Sequence, residues 1–349
     1  MKVLLCAGGT GGHLFPAIAL AESLKQNQYE VVLATDKRGA VYCEDIEDKR
    51  VFGSISKRNP VMLFFRAIRQ VLQFFFMFQR GHYDVVIGFG GAFTFIPLIM
   101  AKICRVKTAI YEQNAIIGRA NRHLAGIVDA RVATFGIGGD WKVIPLPVRK
   151  DFFDVVPYKL KKPIRILILG GSQGAKSFAQ IIPTAIEGLS SADRTELEIV
   201  QHDPLCENDE LMQTYTKLGI KARVEKFIYN VSAEMSECQL VICRSGASTL
   251  AELSAAGRPA IFIPYPFATD NHQMLNAKRY VGRNAGWIVE DKLHAGENLC
   301  QILRNILRNK SLLEQKATNM YDSSLKTSTD CFIKLIERLK GEKVTEDVE

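Results

Sequence analysis

The sequence predicts an α/β protein built on parallel sheets and arranged as two doubly wound domains. Its 349 residues exceed the roughly 100–200 residues of one typical domain. Short apolar runs alternate with longer helical patterns along the whole chain, the signature of strands covered by crossover helices. The beginning of the chain is also repeated. KVLLCAGGTGGHLFPAIALAESL (2–24) is echoed by RILILGGSQGAKSFAQIIPTAIEGL (165–189), each an apolar strand, then G-G-[TS]-x-G, then an amphipathic helix. Gly8, Gly9, Thr10 and Gly12 correspond to Gly170, Gly171, Ser172 and Gly174. A doubly wound unit that begins twice implies two similar Rossmann-like domains facing one another across a cleft.

Strands are expected in the first half at 2–7, 30–35, 84–88, 108–111 and 131–135. In the second half they are expected at 164–169, 197–201, 222–227, 240–243, 260–263 and 287–289. These β-branched and Leu-rich runs lack strict alternation, as strands covered on both faces do. The segment PLPVRKDFFDVVPYKLKKP (145–163) has four prolines and reads as the connection. The domains are therefore 1–150 and 151–340, with the last helix a candidate to pack back on the first domain. A polar tail, 341–349, is expected to be disordered.

Apolar residues make up 47% and charged residues 23%, an ordinary globular balance. The net charge of +8 is uneven. Residues 1–150 hold 20 Lys+Arg against 11 Asp+Glu, and the remainder 25 against 26. The first half therefore suits an anionic partner: a membrane surface, a nucleic acid or a phosphorylated substrate. Eight cysteines form no CxxC pair and no Cys/His cluster, so neither zinc nor a disulfide framework is expected. Buried thiols in a reducing cytosol are the economical reading. The apolar run of MKVLLCAGG is too short for a signal peptide.

Glycines after parallel strands permit tight turns and close approach of backbone to a ligand. The helix N-terminus that follows presents N–H groups and partial positive charge, a seat for phosphate. Neither glycine loop is G-x-G-x-x-G or a P-loop, which disfavours NAD binding and simple NTP hydrolysis. A third such helix start is CRSGASTLAELSAAG (243–257); Glu252 lies about two turns into its helix, where a glutamate is ordinarily solvated and, at a nucleotide cleft, accepts both hydroxyls of a ribose.

GGTGGHLFPAIALAESL, GFGGAFTFIPLIMA, YEQNAIIGRANRHLA, GGSQGAKSFAQ, CRSGASTLAELSAAGRPAIFIPYP and DNHQMLNA together resemble the MurG family of glycosyltransferases. The similar blocks run in the same order from about residue 1 to 290. The resemblance implies a GT-B fold, a UDP-GlcNAc donor bound mainly by the C-terminal domain, and no metal or cofactor. It implies inverting transfer to the C4 hydroxyl of undecaprenyl-diphospho-MurNAc-pentapeptide, lipid I, at the cytoplasmic side of a bacterial inner membrane. Other cell-wall synthesis and division proteins are implied as partners, and nucleic acid is not.

Position by position, the resemblance puts Thr10, Gly11 and Gly12 near the donor sugar and diphosphate. It puts Asn114 on the donor GlcNAc, and Arg149 and Ser172 on the diphosphate side. The backbone of Ile228 reads the uracil edge. Ala247, Ser248, Thr249, Leu250, Ala251 and Glu252 form the helix start under the nucleotide, and Gln273 belongs to the donor stretch. His13, one turn after the glycines, is the candidate general base, since a neutral imidazole takes a sugar hydroxyl proton near pH 7. A purely hydrogen-bonding His13 stays open, and Glu112 is the second candidate as base or base-orienting group. Two departures stand out: Ala92 precedes Phe93 where the family has an aromatic directly after Gly-Gly, and His272 replaces a second glutamine.

Between Asp48 and Asp84 no acidic residue occurs, and VMLFFRAIRQVLQFFFMFQR (61–80) is rich in Phe with interspersed Arg. Arg66, Gln70, Gln73, Met77 and Arg80 are expected to line one polar stripe. Phe64, Phe65, Arg69, Phe75, Phe76 and Arg80 are candidates to meet an anionic membrane surface. Spanning is disfavoured, because each mid-helix arginine costs about 2.5–3.5 kcal/mol at a bilayer centre. The other reading fills the core with these Phe side chains. For the whole chain, the competing functions are a glycosyltransferase with another lipid acceptor, a UDP-GlcNAc 2-epimerase, and a non-catalytic UDP-sugar-binding protein.

Overall fold

Thirteen strands are found among the described residues, all in parallel pairs and divided between two sheets. The computed structural model describes the chain except residues 10, 44–45, 54–59, 172–173, 205–209 and 342–349, and the side chains of 60–62. The candidate residues Thr10 and Ser172 and most of the expected tail therefore lie outside the described residues. The chain divides into two units, one of Met1–Arg149 with the chain from Ser324 onward, the other Lys150–Ser323.

The first unit runs β1 (Lys2–Cys6), α1 (Gly11–Gln26), β2 (Glu30–Asp36), β3 (Lys49–Phe52), α2 (Pro60–Gly81), β4 (Val85–Gly88), α3 (Phe95–Ile103), β5 (Lys107–Glu112), α4 (Arg119–Leu124), β6 (Ala130–Ala133) and β7 (Lys142–Val143). Its seven strands lie in the order β3-β2-β1-β4-β5-β6-β7. Val3 pairs with Val31 on one side and Val85 on the other, so β1 is central. Its apolar residues are buried along the strand, as a sheet covered on both faces requires. The chain winds outward from β1 to β3 and then returns to β4 on the other side of β1. The C-terminal ends of β1 and β4 therefore flank the reversal point, where open α/β sheets bind ligands.

The second unit contains β8 (Ile164–Leu169), α5 (Phe178–Glu187), α6 (Ser191–Thr195), β9 (Leu197–His202), α7 (Glu210–Lys217), β10 (Lys221–Glu225), α8 (Val231–Glu237) and β11 (Leu240–Cys243). It continues with α9 (Ala247–Ala256), β12 (Ala260–Phe262), α10 (His272–Gly282), β13 (Gly286–Ile288), α11 (Ala295–Arg308) and α12 (Ser311–Met320). Its six strands are ordered β10-β9-β8-β11-β12-β13, with the reversal between β8 and β11. One core cluster joins Ile166 and Ile168 of β8 to Phe178 and Ile182 of α5 and to Leu299 and Leu303 of α11. At Gly296 a Cβ would fall 2.6 Å from Thr184 Cγ2, so glycine lets α11 close on α5.

The last helix, α13 (Ser328–Lys340), belongs to the first unit. Its Phe332 is fully buried against Phe89 and Tyr111, with ring centroids 6.2 and 5.2 Å apart. Ser328 Oγ donates to the Pro145 carbonyl (2.7 Å), and Lys340 Nζ pairs with Asp84 (2.6 Å).

Each expected strand is present within two residues of its expected ends, and β3 and β7 are additional. β3 reads KRVF with Arg50 and Val51 exposed, and β7 has two residues, so neither gives an apolar run.

Candidate active site

The first site is built where β1, β4 and β5 end side by side. Gly8 follows β1, and a Cβ there would lie 2.3 Å from Cβ of Phe93, which packs into the space glycine leaves. Phe93, the displaced aromatic of the GFGGAF loop, is therefore buried under the β1–α1 turn rather than offered to a ligand. Gly9 adopts φ +87° and donates its N–H to Asp36 at the end of β2 (3.2 Å). Gly11 is buried and Gly12 exposed at the start of α1, and half-buried His13 follows.

The imidazole of His13 rests on the turn after β4. Cβ atoms at Gly90 and Gly91 would come within 3.3 and 3.5 Å of its ring, and both glycines have positive φ (+84° and +82°). The positive φ favours glycine at both positions, and at Gly90 the ring leaves a side chain little room as well. His13 Nδ1 lies 3.0 Å from Oε1 of Gln113, a buried residue just beyond β5.

Glu112 is buried at the end of β5, and four donors surround its carboxylate. Oε1 accepts from the backbone N–H and side-chain amide of Asn114 (3.1 and 3.2 Å). Oε2 accepts from Gly118 N–H (2.8 Å) and Asn121 Nδ2 (2.9 Å). Its four lone-pair positions are thus occupied by the loop it organises. It orients Asn114, while the side chain that reaches the imidazole is the neighbouring Gln113. Arg149 is half-buried at the end of this unit.

The second unit carries the nucleotide-side candidates at its own reversal point. Gly170 follows β8, and a Cβ there would lie 2.6 Å from Ala175 N; Gly171 and Gly174 have φ of +81° and +71°. α9 begins at Ala247 after Gly246, which makes no side-chain cap. The helix therefore offers backbone N–H groups and its positive end beside β11. Ala247, Ser248, Leu250 and Ala251 are buried, while Thr249 and Glu252 are half-buried one turn apart in sequence and reach the surface. Gln273 accepts from Tyr265 N–H (2.9 Å), and its carbonyl accepts from Ser245 Oγ (2.8 Å), which fixes the loop after β12. His272 Nδ1 contacts the Thr269 carbonyl (2.7 Å) beside Asp270 and Asn271, both with positive φ. Ile228 is half-buried next to exposed Phe227 and Tyr229 in the loop after β10.

Arg244 was not singled out in the sequence, yet it organises this second site. It is 9% exposed, pairs with Asp291 (2.8 Å), donates to the Ile263 and Pro264 carbonyls (3.0 and 3.3 Å) and to Ser177 Oγ (3.1 Å), and lies 4.8 Å from the Phe178 ring centroid. Ser177 Oγ donates to Asp291 in turn (2.7 Å). The strand-end position of Arg244, before Ser-Gly, was the available signal; its partner Asp291 lies 47 residues on and no local pattern joins them.

The segment 60–81 is one helix of 22 residues, α2. The expected polar stripe does not form one solvent face. Gln70, Phe74 and Phe78 repeat at i, i+4 and i+8 and are buried, with Phe74 stacked on Phe52 (4.2 Å). Gln70 is drawn inward because its Nε2 donates to the Gly53 carbonyl, and Met77 packs half-buried on the same core. Phe75 is also half-buried on that core rather than exposed. The opposite side exposes Phe64 (63%), Phe65 (65%), Leu72 and Phe76 (50%), with Arg66, Arg69 and Arg80 among them. Among the described residues no helix is long and apolar enough to cross a membrane, and no cluster of His, Cys, Asp and Glu has the make-up of a metal site.

Comparison with known proteins matches residues 3–133 to the glycosyltransferase family 28 N-terminal domain and 165–331 to the family 28 C-terminal domain. A relative from Mesorhizobium japonicum is 34% identical over 99% of this chain and 97% of its own. One from Brucella anthropi is 37% identical over 90% and 89%. Both are named UDP-N-acetylglucosamine–N-acetylmuramyl-(pentapeptide) pyrophosphoryl-undecaprenol N-acetylglucosamine transferase. The crystal structure of Acinetobacter baumannii MurG superposes with a TM-score of 0.81 at 26% identity, covering 97% of this chain and 99% of that one. UDP-GlcNAc 2-epimerase from Neisseria meningitidis shares the fold, with a TM-score of 0.66 at 12% identity over 97% and 100% of the two chains.

Proposed function

The chain belongs to glycosyltransferase family 28, in its MurG branch, and we propose that it transfers GlcNAc from UDP-GlcNAc to lipid I, forming lipid II for peptidoglycan. Near-full-length likeness to enzymes named for this transfer carries the reading, and the site chemistry agrees with it. The C4 hydroxyl oxygen of the acceptor MurNAc attacks C1 of the donor GlcNAc from the face opposite UDP. As that C–O bond forms, the bond from C1 to the β-phosphate oxygen breaks and its electron pair leaves on UDP. The hydroxyl proton passes to His13, which the glycine turn and Gln113 hold at the reversal point of the first sheet.

The first unit supplies the base and, through Glu112, an oriented Asn114 for the donor sugar; Thr10, Gly11 and Gly12 are the loop that approaches the same substrate. The second unit supplies the nucleotide seat. The uncapped start of α9, from Ala247 to Ala251, and the loop bearing Ser172 stabilise the diphosphate charge that develops as UDP leaves. Arg149 adds positive charge to that diphosphate. Glu252 accepts the ribose hydroxyls, Ile228 meets the uracil, and Gln273 shapes the donor loop. The exposed Phe64, Phe65 and Phe76 with Arg66, Arg69 and Arg80 rest on anionic lipid at the cytoplasmic face of the membrane that holds the acceptor.

The test is UDP release and lipid product formation from UDP-GlcNAc, with and without lipid I. Lipid-I-dependent release yielding a disaccharide lipid is expected, and His13→Ala should lower kcat by about 10²–10⁴ while UDP still binds. Epimerised UDP-sugar formed without acceptor, or UDP-GlcNAc binding with no turnover on lipid I, would reject the transferase reading.

A further inference from the structure

We propose that Gln113 is a positioning residue that locks His13 in the tautomer with its proton on Nδ1, so that Nε2 carries the lone pair that receives the acceptor proton. The inference rests on the reading of His13 as general base.

The argument turns on which end of the Gln113 amide faces which neighbour. Its Nε2 lies 3.1 Å from the carbonyl oxygen of Phe89. A carbonyl can only accept, so the amide NH₂ must point there; reversing the amide would set two oxygens against each other. The Oε1 atom is therefore the one at 3.0 Å from His13 Nδ1. An amide oxygen likewise only accepts, so Nδ1 must be the donor. The tautomer protonated on Nε2 would place a nitrogen lone pair against that oxygen and is excluded.

The reference point of this chain is itself fixed. Phe89 N–H donates to the Cys6 carbonyl (2.8 Å), extending the β4–β1 ladder by one residue. The Phe89 side chain is fully buried between Tyr111 and Phe332. Gln113 is buried as well and has little freedom to turn. The sequence of fixed groups thus runs from the centre of the sheet, through one carbonyl and one amide, to the imidazole.

The arrangement suits a base because it is satisfied before and after proton transfer. Neutral His13 donates from Nδ1, and so does the imidazolium; the Gln113 contact persists while Nε2 changes state. No reorganisation accompanies the step, which is the preorganisation that catalysis rewards. The charged groups on the surrounding elements are Asp36 with Arg38 at the end of β2, Glu112 at the end of β5, and Arg119 at the head of α4; the 88–94 turn carries none. Glu112 is engaged with Asn114, Gly118 and Asn121, and Asp36 with Gly9, Arg38 and Gly39.

The test combines ¹⁵N–¹H correlation NMR of the histidine rings with kcat–pH profiles of the full-length protein on UDP-GlcNAc and lipid I. The His13 ring is assigned by the signal missing from His13→Ala. Wild type should show protonated Nδ1 and bare Nε2. Gln113→Leu should release a mixture of tautomers and lower kcat by up to about 10²-fold, the low end of what a positioned base contributes, with KM for UDP-GlcNAc little changed. Gln113→Glu keeps an acceptor oxygen at Nδ1, but its second oxygen faces the Phe89 carbonyl and must carry a proton to donate as the amide did, so the protonated form should hold the tautomer and restore part of kcat. Once ionised it also stabilises the imidazolium, so the acidic limb of its profile should move to higher pH. A wild-type ring protonated on Nε2, or a folded Gln113→Leu with unaltered tautomer and rate, overturns the inference. If Gln113→Leu does not fold, the near-isosteric Gln113→Met takes its place, and an unaltered tautomer and rate in it overturn the inference. Wild-type protein with no lipid-I-dependent turnover overturns the functional reading instead, and a fully active His13→Ala removes the base on which the inference rests.

Discussion

Asp36 is 3% exposed at the end of β2 and gathers five donors, from Gly9, Gly39 and the backbone and guanidinium of Arg38, at 2.9–3.2 Å. Burial pushes its pKa up, but the Arg38, Gly39 and Gly9 hydrogen bonds outweigh it, and the carboxyl lies below the usual carboxylate value. Because the folded value is depressed, this contribution to stability is present above the unfolded value near 3.9 and is lost as pH falls through the folded one. Asp36→Ala should lower the unfolding free energy by about 2–3 kcal/mol, discounted for the exposed Arg38 partner. Urea denaturation at neutral pH measures the loss, and Asp36→Asn should unfold with a shallower acid dependence than wild type. An acid limb identical in the two proteins would assign the acid sensitivity to other carboxylates. Gly8, Gly12 and His13 were legible in the sequence because glycine loops before helices are local patterns. The amide direction of Gln113 was not, since it depends on a carbonyl 24 residues away that only sheet pairing brings near. Arg244 was hidden for the same reason.

At the scale of the element, α2 divides its phenylalanines between two environments. Phe74→Ala should destabilise the protein by about 3–5 kcal/mol, as core Phe truncations do, since Phe74 stacks on Phe52 and contacts Phe78 and Phe93. The triple change Phe64→Ser, Phe65→Ser, Phe76→Ser touches side chains at least half exposed and should leave the melting temperature nearly unchanged. It should sharply reduce co-sedimentation with anionic liposomes, and undiminished binding by the folded triple variant would place the lipid contact elsewhere. Helical spacing gave the existence of α2 but misassigned its faces. Counting polar residues puts Gln70 and Met77 on the wet side, whereas the Gly53 carbonyl and the Phe52–Phe74 stack turn them inward. The strands fared better, because buried parallel strands are continuous apolar runs; β3, with its Lys49 and Arg50, and β7, with two residues, lack that mark.

Across the whole molecule, the first unit is not a continuous stretch of chain. Its sheet is complete by Val143, but Phe332, Leu335 and Ile336 of α13 are buried within it. A chain ending at residue 323 should therefore lose the cooperative unfolding of the first unit while keeping that of Lys150–Ser323. Limited proteolysis and calorimetry would separate the two transitions, and a first unit as stable as in the full chain would show α13 to be dispensable. During synthesis the same arrangement imposes an order. The ribosome releases every strand of the first sheet long before the helix that seals Phe89 and Tyr111, so a nascent chain carries an open aromatic face until its final turns emerge. A chain stalled before residue 328 would bear that face as a mark for chaperones and proteases. The last helix thus acts as a late seal: until Phe332 has left the ribosome, the rings of Phe89 and Tyr111 lack the side chain that covers them.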